Sequence, residues 1–245
     1  MKIEKFVKKS SGMYKLFLDN DEVIELHEDL ILKEDLLLKR EINGEDIVVL
    51  LEKNRDYLAY SMALKYLGVK MRSIKEVKNY LAKKDVYSST IDDVISRLIR
   101  EGYLNDSVYA SSYVNDRIAL SNDGPLKIKK SLEELGVDSD SISNALVVFN
   151  DEVELEKIKK LVLKQIKTNS NKGEYLLKQK IFYNLSNLGY SKSLIQSVLD
   201  DVSFNDSSLR EKEYNKLYNK LSKKYSGREL EYRIKQGLYQ KGFRT

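Results

Sequence analysis

The sequence predicts a mainly α-helical protein: tandem three-helix repeats forming an elongated curved array, preceded by a small N-terminal β-meander with short helices. Three observations carry this. One proline and 11 glycines in 245 residues leave too few tight turns for a sandwich or barrel. Lys, Glu, Leu and Ile are abundant, and all but Ile are strong helix formers. Past residue 56, a pattern of apolar residues and glycines recurs about every 53 residues.

Residues 1–27 alternate as strands do, through Ile3, Phe6 and Val7, then Tyr14, Leu16 and Leu18, then Val23, Ile24 and Leu26. Turn chemistry at Ser10-Ser11-Gly12 and Asp19-Asn20-Asp21 separates three antiparallel strands. From Glu28 the period lengthens, and Leu30, Ile31, Leu36 and Leu37, then Ile47, Val48, Leu50 and Leu51, predict two short helices broken at Asn43-Gly44.

The repeat is visible when Leu81, Leu132, Leu185 and Leu238 are set as a common zero. Four residues earlier stand Val77, Ile128, Ile181 and Ile234, on the same helix face as the zero. Four residues later stand Asp85, Gly136, Gly189 and Gly242, then Val86, Val137, Tyr190 and Phe243. A residue able to turn left-handed, followed by an apolar one, ends a helix and seals its last turn. Ile91, Ile142 and Ile195 at +10, Ile95, Leu146 and Leu199 at +14, and Leu98, Phe149 and Val202 at +17 form the inner face of a third helix. An amphipathic helix precedes each pair, at 57–67, 108–120, 155–166 and 209–225. Ser73-Ile-Lys-Glu76 reads as a capping box, Thr90 as the cap of the next helix and Ser191 as the cap of its counterpart in the third repeat. The expected divisions are therefore residues 1–55, 56–105, 106–150, 151–202 and a partial fourth repeat, 203–245, which stops at Thr245 before a third helix.

Composition narrows the chemistry. With no cysteine and one histidine, His27, thiolate nucleophiles, Cys-based metal sites, HExxH proteases and Ser-His-Asp hydrolases lose their parts. A lone imidazole closing a strand reads as structural or exposed. No glycine-rich phosphate loop is present, so ATP hydrolysis by this chain has no sequence support. Asp92-Asp93, Glu133-Glu134 and Asp200-Asp201 are paired carboxylates, but they fall on helix starts or surfaces and read as capping or solvated acids. Neither catalytic residues nor cofactors are expected. No run of apolar residues is long enough to span a bilayer and no apolar leader follows Met1, so we expect a cytoplasmic, soluble monomer without membrane contact.

Charge is distributed unevenly, at −4 over residues 1–56, +4 over 57–105, −3 over 106–150, +2 over 151–202 and +6 over 203–245. The basic C-terminal end suits an anionic partner. At −5 in the repeat stand Glu76, Lys127, Lys180 and Arg233, and at −3 Lys78, Lys129, Phe182 and Lys235, two columns flanking the buried stripe. The candidate partner- or DNA-binding residues are Lys127, Lys129, Lys130, Lys180 and Arg233, with Arg97, Arg100 and Arg117, whose guanidinium groups suit phosphate or carboxylate. Most of the 17 tyrosines sit at core or helix-end spacing and read as packing.

Residues Ala59–Leu67, Arg72–Leu81 and Ile91–Asp106 together resemble the first unit of RecX, the bacterial regulator of the RecA recombinase. Gly102-Tyr-Leu-Asn-Asp106 followed by Tyr109-Ala110 resembles that family's junction between first and second units, and Gly124–Val137 its second-unit core. The third repeat and Arg228–Phe243 resemble it more loosely, through Leu-x-x-x-Gly-aromatic. The resemblance implies a regulator that binds the RecA filament on single-stranded DNA, lies along its helical groove and lowers or modulates ATPase and strand exchange. It leaves direct DNA contact open and carries no catalytic residues. The alternative reading is a sequence-independent nucleic-acid-binding helical repeat protein, which the basic tail alone would support. An enzyme using surface carboxylates finds no convergent site.

A compact globule of this length has a radius of gyration near ~18 Å. Small-angle scattering is expected to return a clearly larger value if the repeats stack end to end, and the compact value would overturn the array.

Overall fold

The computed structural model of the chain describes residues 1–9, 12–169, 172–204 and 206–244, the last stretch without the Asp206 side chain. The turn expected at Ser10 and Ser11 and the terminal Thr245 lie outside them. Among the described residues are three strands and thirteen helices. They fall into two compact units, Met1–Tyr109 with Leu135–Val137, and Ala110–Glu134 with Asp138–Thr245.

The first unit begins with the expected meander of β1 (Ile3–Lys8), β2 (Met13–Leu18) and β3 (Val23–His27), antiparallel in that order. Alternation places Leu16, Leu18, Ile24 and Leu26 on one face, buried with Ile3 against Leu30, Ile31, Leu36 and Leu50. His27 ends β3, buried, its Nδ1 accepting the Asp29 backbone N–H and so capping α1 (Glu28–Lys33).

The two short helices expected here are drawn differently. The first is split into α1 and α2 (Leu36–Lys39), because Asp35 turns left-handed between them. The second is only the start of α3 (Asp46–Leu67), a 22-residue helix that runs through residue 55. Asn54 explains the continuity. Its Oδ1 accepts the His27 N–H at 2.8 Å and its Nδ2 donates to the Glu25 carbonyl at 3.0 Å, so a buried amide on the helix joins it to β3.

Then come α4 (Ile74–Ala82) and α5 (Ser88–Arg100), whose Val77, Leu81, Ile91, Val94, Ile95 and Leu98 bury against Ala59, Tyr60 and Ala63 of α3. The Ser73–Glu76 capping box is present with both of its bonds. Thr90 is not a cap. The N-cap is Tyr87, and Thr90 lies in the first turn, its hydroxyl donating to Asp56 at 3.1 Å.

In the second unit, α6 (Asp106–Leu120), which begins in the first unit, is followed by α7 (Pro125–Glu134) and α8 (Ser139–Leu146). The next triplet is α9 (Asp151–Thr168), α10 (Glu174–Asn187) and α11 (Lys192–Asp201), and the last pair α12 (Asp206–Leu221) and α13 (Gly227–Gln240). The −4 and zero positions are buried in all four repeats. Two inner-face assignments shift: Leu146 is half-buried and Ala145 takes the core position, and Val202 is half-buried because α11 ends before it. Ser191 occupies the N-cap of α11 as expected, although its hydroxyl faces Ser193 rather than the helix N–H groups.

The glycine at +4 does more than end a helix. Asp85, Gly136, Gly189 and Gly242 all have positive φ, and in three of the four repeats the residue after them bonds back to the zero carbonyl, as Tyr190 does to Leu185 at 3.2 Å. Only the glycines also meet another helix start. The carbonyl just before each accepts from an N-cap: Leu135 from the Ser73 hydroxyl at 2.8 Å, Leu188 from the Gly124 N–H at 2.7 Å, Lys241 from the Gly173 N–H at 2.9 Å. A Cβ on Gly242 would lie 2.7 Å from the Leu176 Cγ, and one on Gly124 would lie 2.6 Å from the Gly189 carbonyl carbon. One joint is thus used three times.

Gly189→Ala and Gly242→Ala are expected to cost roughly 2–4 kcal/mol each, from left-handed strain plus overpacking, lowering the melting temperature by on the order of 10 °C. Asp85→Gly, at the one such turn carrying a side chain, should not destabilise. Thermal melts of the three variants check both signs.

Candidate interaction surfaces

Arg97 and Arg100 lie in the last turn of α5. Arg97 stacks its guanidinium 3.7 Å from the Tyr60 ring centroid and donates from Nε to Glu101 at 2.8 Å, while the Tyr60 hydroxyl donates to the other Glu101 oxygen. The hydrogen bond from Arg97, then that from Tyr60, hold the Glu101 carboxyl below the usual carboxylate range. Burial first, and the carboxylate second, push the Tyr60 phenol up to about 12. The group is locked: ring, carboxylate and guanidinium fix one another, leaving the terminal guanidinium nitrogens free of these bonds. Beside it Arg100, Ile99 and Tyr103 are exposed, the last two at 46% and 57%. A guanidinium fixed by its partners, with an exposed tyrosine and isoleucine beside it, has the composition of interface hot spots.

The candidates of the second unit are each engaged within it. Arg117 stacks over Tyr113 and faces Asp123 at 3.7 Å, and Lys127 pairs with the same Asp123 at 2.7 Å. Lys129 and Lys130 face Glu133 and Glu134, each at 4.0 Å and one helical turn on. Lys180 donates to Asn169 at 2.6 Å, and Arg233 pairs with Glu229 over the Tyr225 ring. The basic columns at −5 and −3 therefore exist, but their charge is largely answered locally. Lys78, at −3 in the first unit, likewise pairs with Asp92 at 2.8 Å.

The paired carboxylates stay apart from one another's chemistry. Asp92, Glu133 and Glu134 hold lysines, and Asp200 accepts from Gln196. Among the described residues no group of three His, Asp or Glu is placed to hold a metal ion.

Several buried or half-buried polar residues escaped the sequence reading. Lys157 on α9 sends its ammonium to the Ile118 and Ser121 carbonyls at 2.5 and 3.1 Å, closing the end of α6. Glu154, also on α9, is buried and accepts the Ser191 N–H at 2.6 Å. Glu213 of α12 is buried between Lys216 and Lys241. No sequence signal marks their burial, because Lys157, Glu154 and Glu213 each have a partner in a different helix or turn, Lys216 alone being a neighbour on the same helix. The arginine–tyrosine stacks also escaped it, since the tyrosines read only as packing: Arg97 over Tyr60 joins two helices, and Arg117 over Tyr113 lies within α6.

These features define a class, a tandem three-helix repeat protein whose notable groups lie on helix surfaces. Residues 59–98 match the family description "RecX, first three-helix domain", and residues 105–146 match "RecX, second three-helix domain". Regulatory protein RecX of Oceanobacillus iheyensis is 32% identical over 246 residues, spanning 96% of this chain and 90% of that protein. Its counterpart in Halalkalibacterium halodurans is also 32% identical, over 96% of this chain and 92% of its own length. A crystal structure of regulatory protein RecX superposes with a TM-score of 0.69 at 27% identity, covering 82% of this chain and all of the other. That of RecX from Lactobacillus salivarius gives 0.58 at 30% identity, over 61% of this chain and 97% of the other. The chain belongs to the RecX family of regulatory proteins.

Burial is the main cause that raises the Glu154 carboxyl above the ordinary range, against the Ser191 hydrogen bond that lowers it. A raised carboxyl contributes its stability below the unfolded-state value of about 4.3 and loses it as pH rises through the folded one. Glu154→Gln keeps an acceptor for Ser191, so the variant should melt higher than the parent at pH 8, with the gain shrinking towards pH 4. Melts across that range check the sign.

Proposed function

We propose that the chain binds the RecA filament on single-stranded DNA and lowers RecA ATPase and strand exchange, acting as a regulator in recombination and DNA repair rather than as an enzyme. The observation that supports this most is its family membership along nearly the whole chain, 96% of which aligns with regulatory proteins RecX. The absence of a phosphate loop agrees with a protein that acts on another's ATPase.

The residues proposed for contact are led by Arg97 and Arg100 with Tyr103 and Ile99, the exposed and pre-organised end of α5. Arg117, Lys127, Lys129, Lys130, Lys180 and Arg233 follow. Each exposed pair contributes only ~0.2–1 kcal/mol, so these act as a sum. Because Glu133 and Glu134 face Lys129 and Lys130, reversing the acids frees lysines and is expected to strengthen binding to an anionic surface.

Titration into a RecA ATPase assay on single-stranded DNA tests the reading. Loss of ATPase at protein well below the DNA-coating ratio is expected; loss only at full coating would favour plain nucleic-acid binding, with its steep salt dependence. Arg97→Glu with Arg100→Glu should raise the half-inhibitory concentration at least tenfold with helicity kept and the melting temperature lowered by the loss of the Arg97–Glu101 pair, while Arg100→Glu alone, at an exposed position, should raise it severalfold with the parent's melting temperature. Lys127, Lys129 and Lys130 all changed to Glu should weaken inhibition less, by severalfold.

A further inference from the structure

Between the C-terminal end of α6 and the flank of α9, within the second unit, lies an open cleft of about 550 Å³. Its apolar wall is Leu120, Val153 and Leu161, and Leu120 is 85% exposed at the rim. Its charged wall is Lys160 and Lys164 of α9, with Glu156 at one end. Lys157, at the back, is engaged with the carbonyls that end α6, so it fixes the cleft and leaves ligand contact to the other two.

Two features set this place apart from the basic columns. Lys160 and Lys164 are exposed and, like Lys235 alone among the basic residues of the columns, have no ion-pair partner among the described residues, whereas Lys127, Lys129, Lys130 and Arg233 are each paired and Lys180 is tied to Asn169. They are also four residues apart, on one face of a helix whose acids are gathered in its first two turns, at Asp151, Glu152, Glu154 and Glu156. Uncompensated cations one turn apart, beside an exposed leucine, form a site with two demands: anionic groups about a helical turn apart, and an apolar side chain between them and α6.

We propose that the α6–α9 cleft is a docking site for an acidic protein segment that carries leucine-like anchors among its carboxylates. Charge complementarity selects the acid, and Leu120 with Leu161 selects the anchor. A nucleic-acid strand fits less well. No aromatic ring lines the cleft to stack a base, and a leucine exposed at the rim gains nothing from a phosphate backbone. The inference does not rest on the filament reading, since the site is assayed without RecA.

The test uses the full-length protein and fluorescence anisotropy with a labelled peptide, EELDSLEE. Its leucine-free counterpart EESDSSEE and a twelve-nucleotide oligothymidylate serve as competitors. The parent is expected to bind EELDSLEE, the leucine-free peptide to compete at least tenfold more weakly, and oligothymidylate not to displace it. Lys160→Glu with Lys164→Glu should weaken the peptide at least tenfold and Leu120→Ser severalfold. All three positions are solvent-facing, so melting temperatures should match the parent's. Three results would overturn the proposal: no binding by the parent, equal binding after the lysine reversals, or displacement by oligothymidylate that the same reversals abolish. If the peptide result stands while RecA inhibition is unaffected by Leu120→Ser, the cleft serves a partner other than the filament, and the two readings separate.

Discussion

Everything in the repeats hangs on a left-handed turn that another helix start can touch. At Gly136, Gly189 and Gly242 the backbone turns with positive φ and ends its own helix, and the carbonyl before it accepts a bond from an N-cap elsewhere. A helix start has orphan donors and a helix end has orphan acceptors; at Gly189 and Gly242 the joint sets one against the other, and at Gly136 the Ser73 hydroxyl satisfies the acceptor instead. Gly136 meets only the Lys75 side chain, whereas at Gly189 and Gly242 the approach is so close that no Cβ fits. Asparagine or aspartate would tolerate the dihedral, but not the contact. The distance from one glycine to the next is 53 residues in both intervals, as the joint favours: helices vary in length between joints, as α7 and α10 do, but each repeat returns its turn to the start of the second helix of the repeat before it. Asp85 obeys the dihedral without the contact. It lines an open cleft with Arg55, Leu58 and Tyr87, where a side chain has room, and the first repeat has no need of a glycine there.

Charge follows a different logic from packing. A 33% charged chain with nearly balanced signs places many acids within a turn of a base, and helix geometry pairs them whether or not a partner ever arrives. Lys127 with Asp123, Lys129 with Glu133 and Arg233 with Glu229 are pairs of this kind. Each adds little to stability and each blunts the local field. A column of lysines in the sequence therefore overstates the positive surface in the fold. What distinguishes a group able to bind is either an unanswered charge, as at Lys160 and Lys164, or a charge whose geometry is fixed in advance, as at Arg97 over Tyr60.

How much of this could be read from the sequence depends on the range of the interactions. The apolar repeat, the glycine turns and the capping box at Ser73 are local, so Val77 and Leu81 or Ile181 and Leu185 were legible as core before any fold was known. The three strands were legible for the same reason, by alternation. The length of α3 was not. The break at Asn43-Gly44 was correctly placed, but residues 47–51 lead straight into Tyr57 with no glycine or proline between, and what holds them as one helix is Asn54 bonding to a strand 27 residues earlier. The cap of α5 was misplaced by three residues, since Thr90 offered a better capping side chain than Tyr87, yet its hydroxyl was already taken by Asp56. Among the candidate arginines and lysines, residue type and position were legible, but the partner of each was not. Tyr60 and Glu101 lie 41 residues apart in the chain.

The same division of range bears on function. A protein that reads a repeating partner gains from repeated, weak contacts, because a sum of small terms keeps specificity in the register rather than in any one group. The glycine joints supply register at the backbone level, independent of surface side chains, so surfaces can change while spacing is kept. That separation is visible in this chain: the −4 and zero positions are Val, Ile or Leu in all four repeats, whereas −5 runs Glu76, Lys127, Lys180, Arg233 and −3 runs Lys78, Lys129, Phe182, Lys235. A surface used identically by every repeat would hold one residue type at one column. This one does not, which is why the contacts proposed above are groups particular to single helices: the Arg97–Tyr60–Glu101 lock on α5 in the first repeat, and the unpaired lysines of α9 in the third.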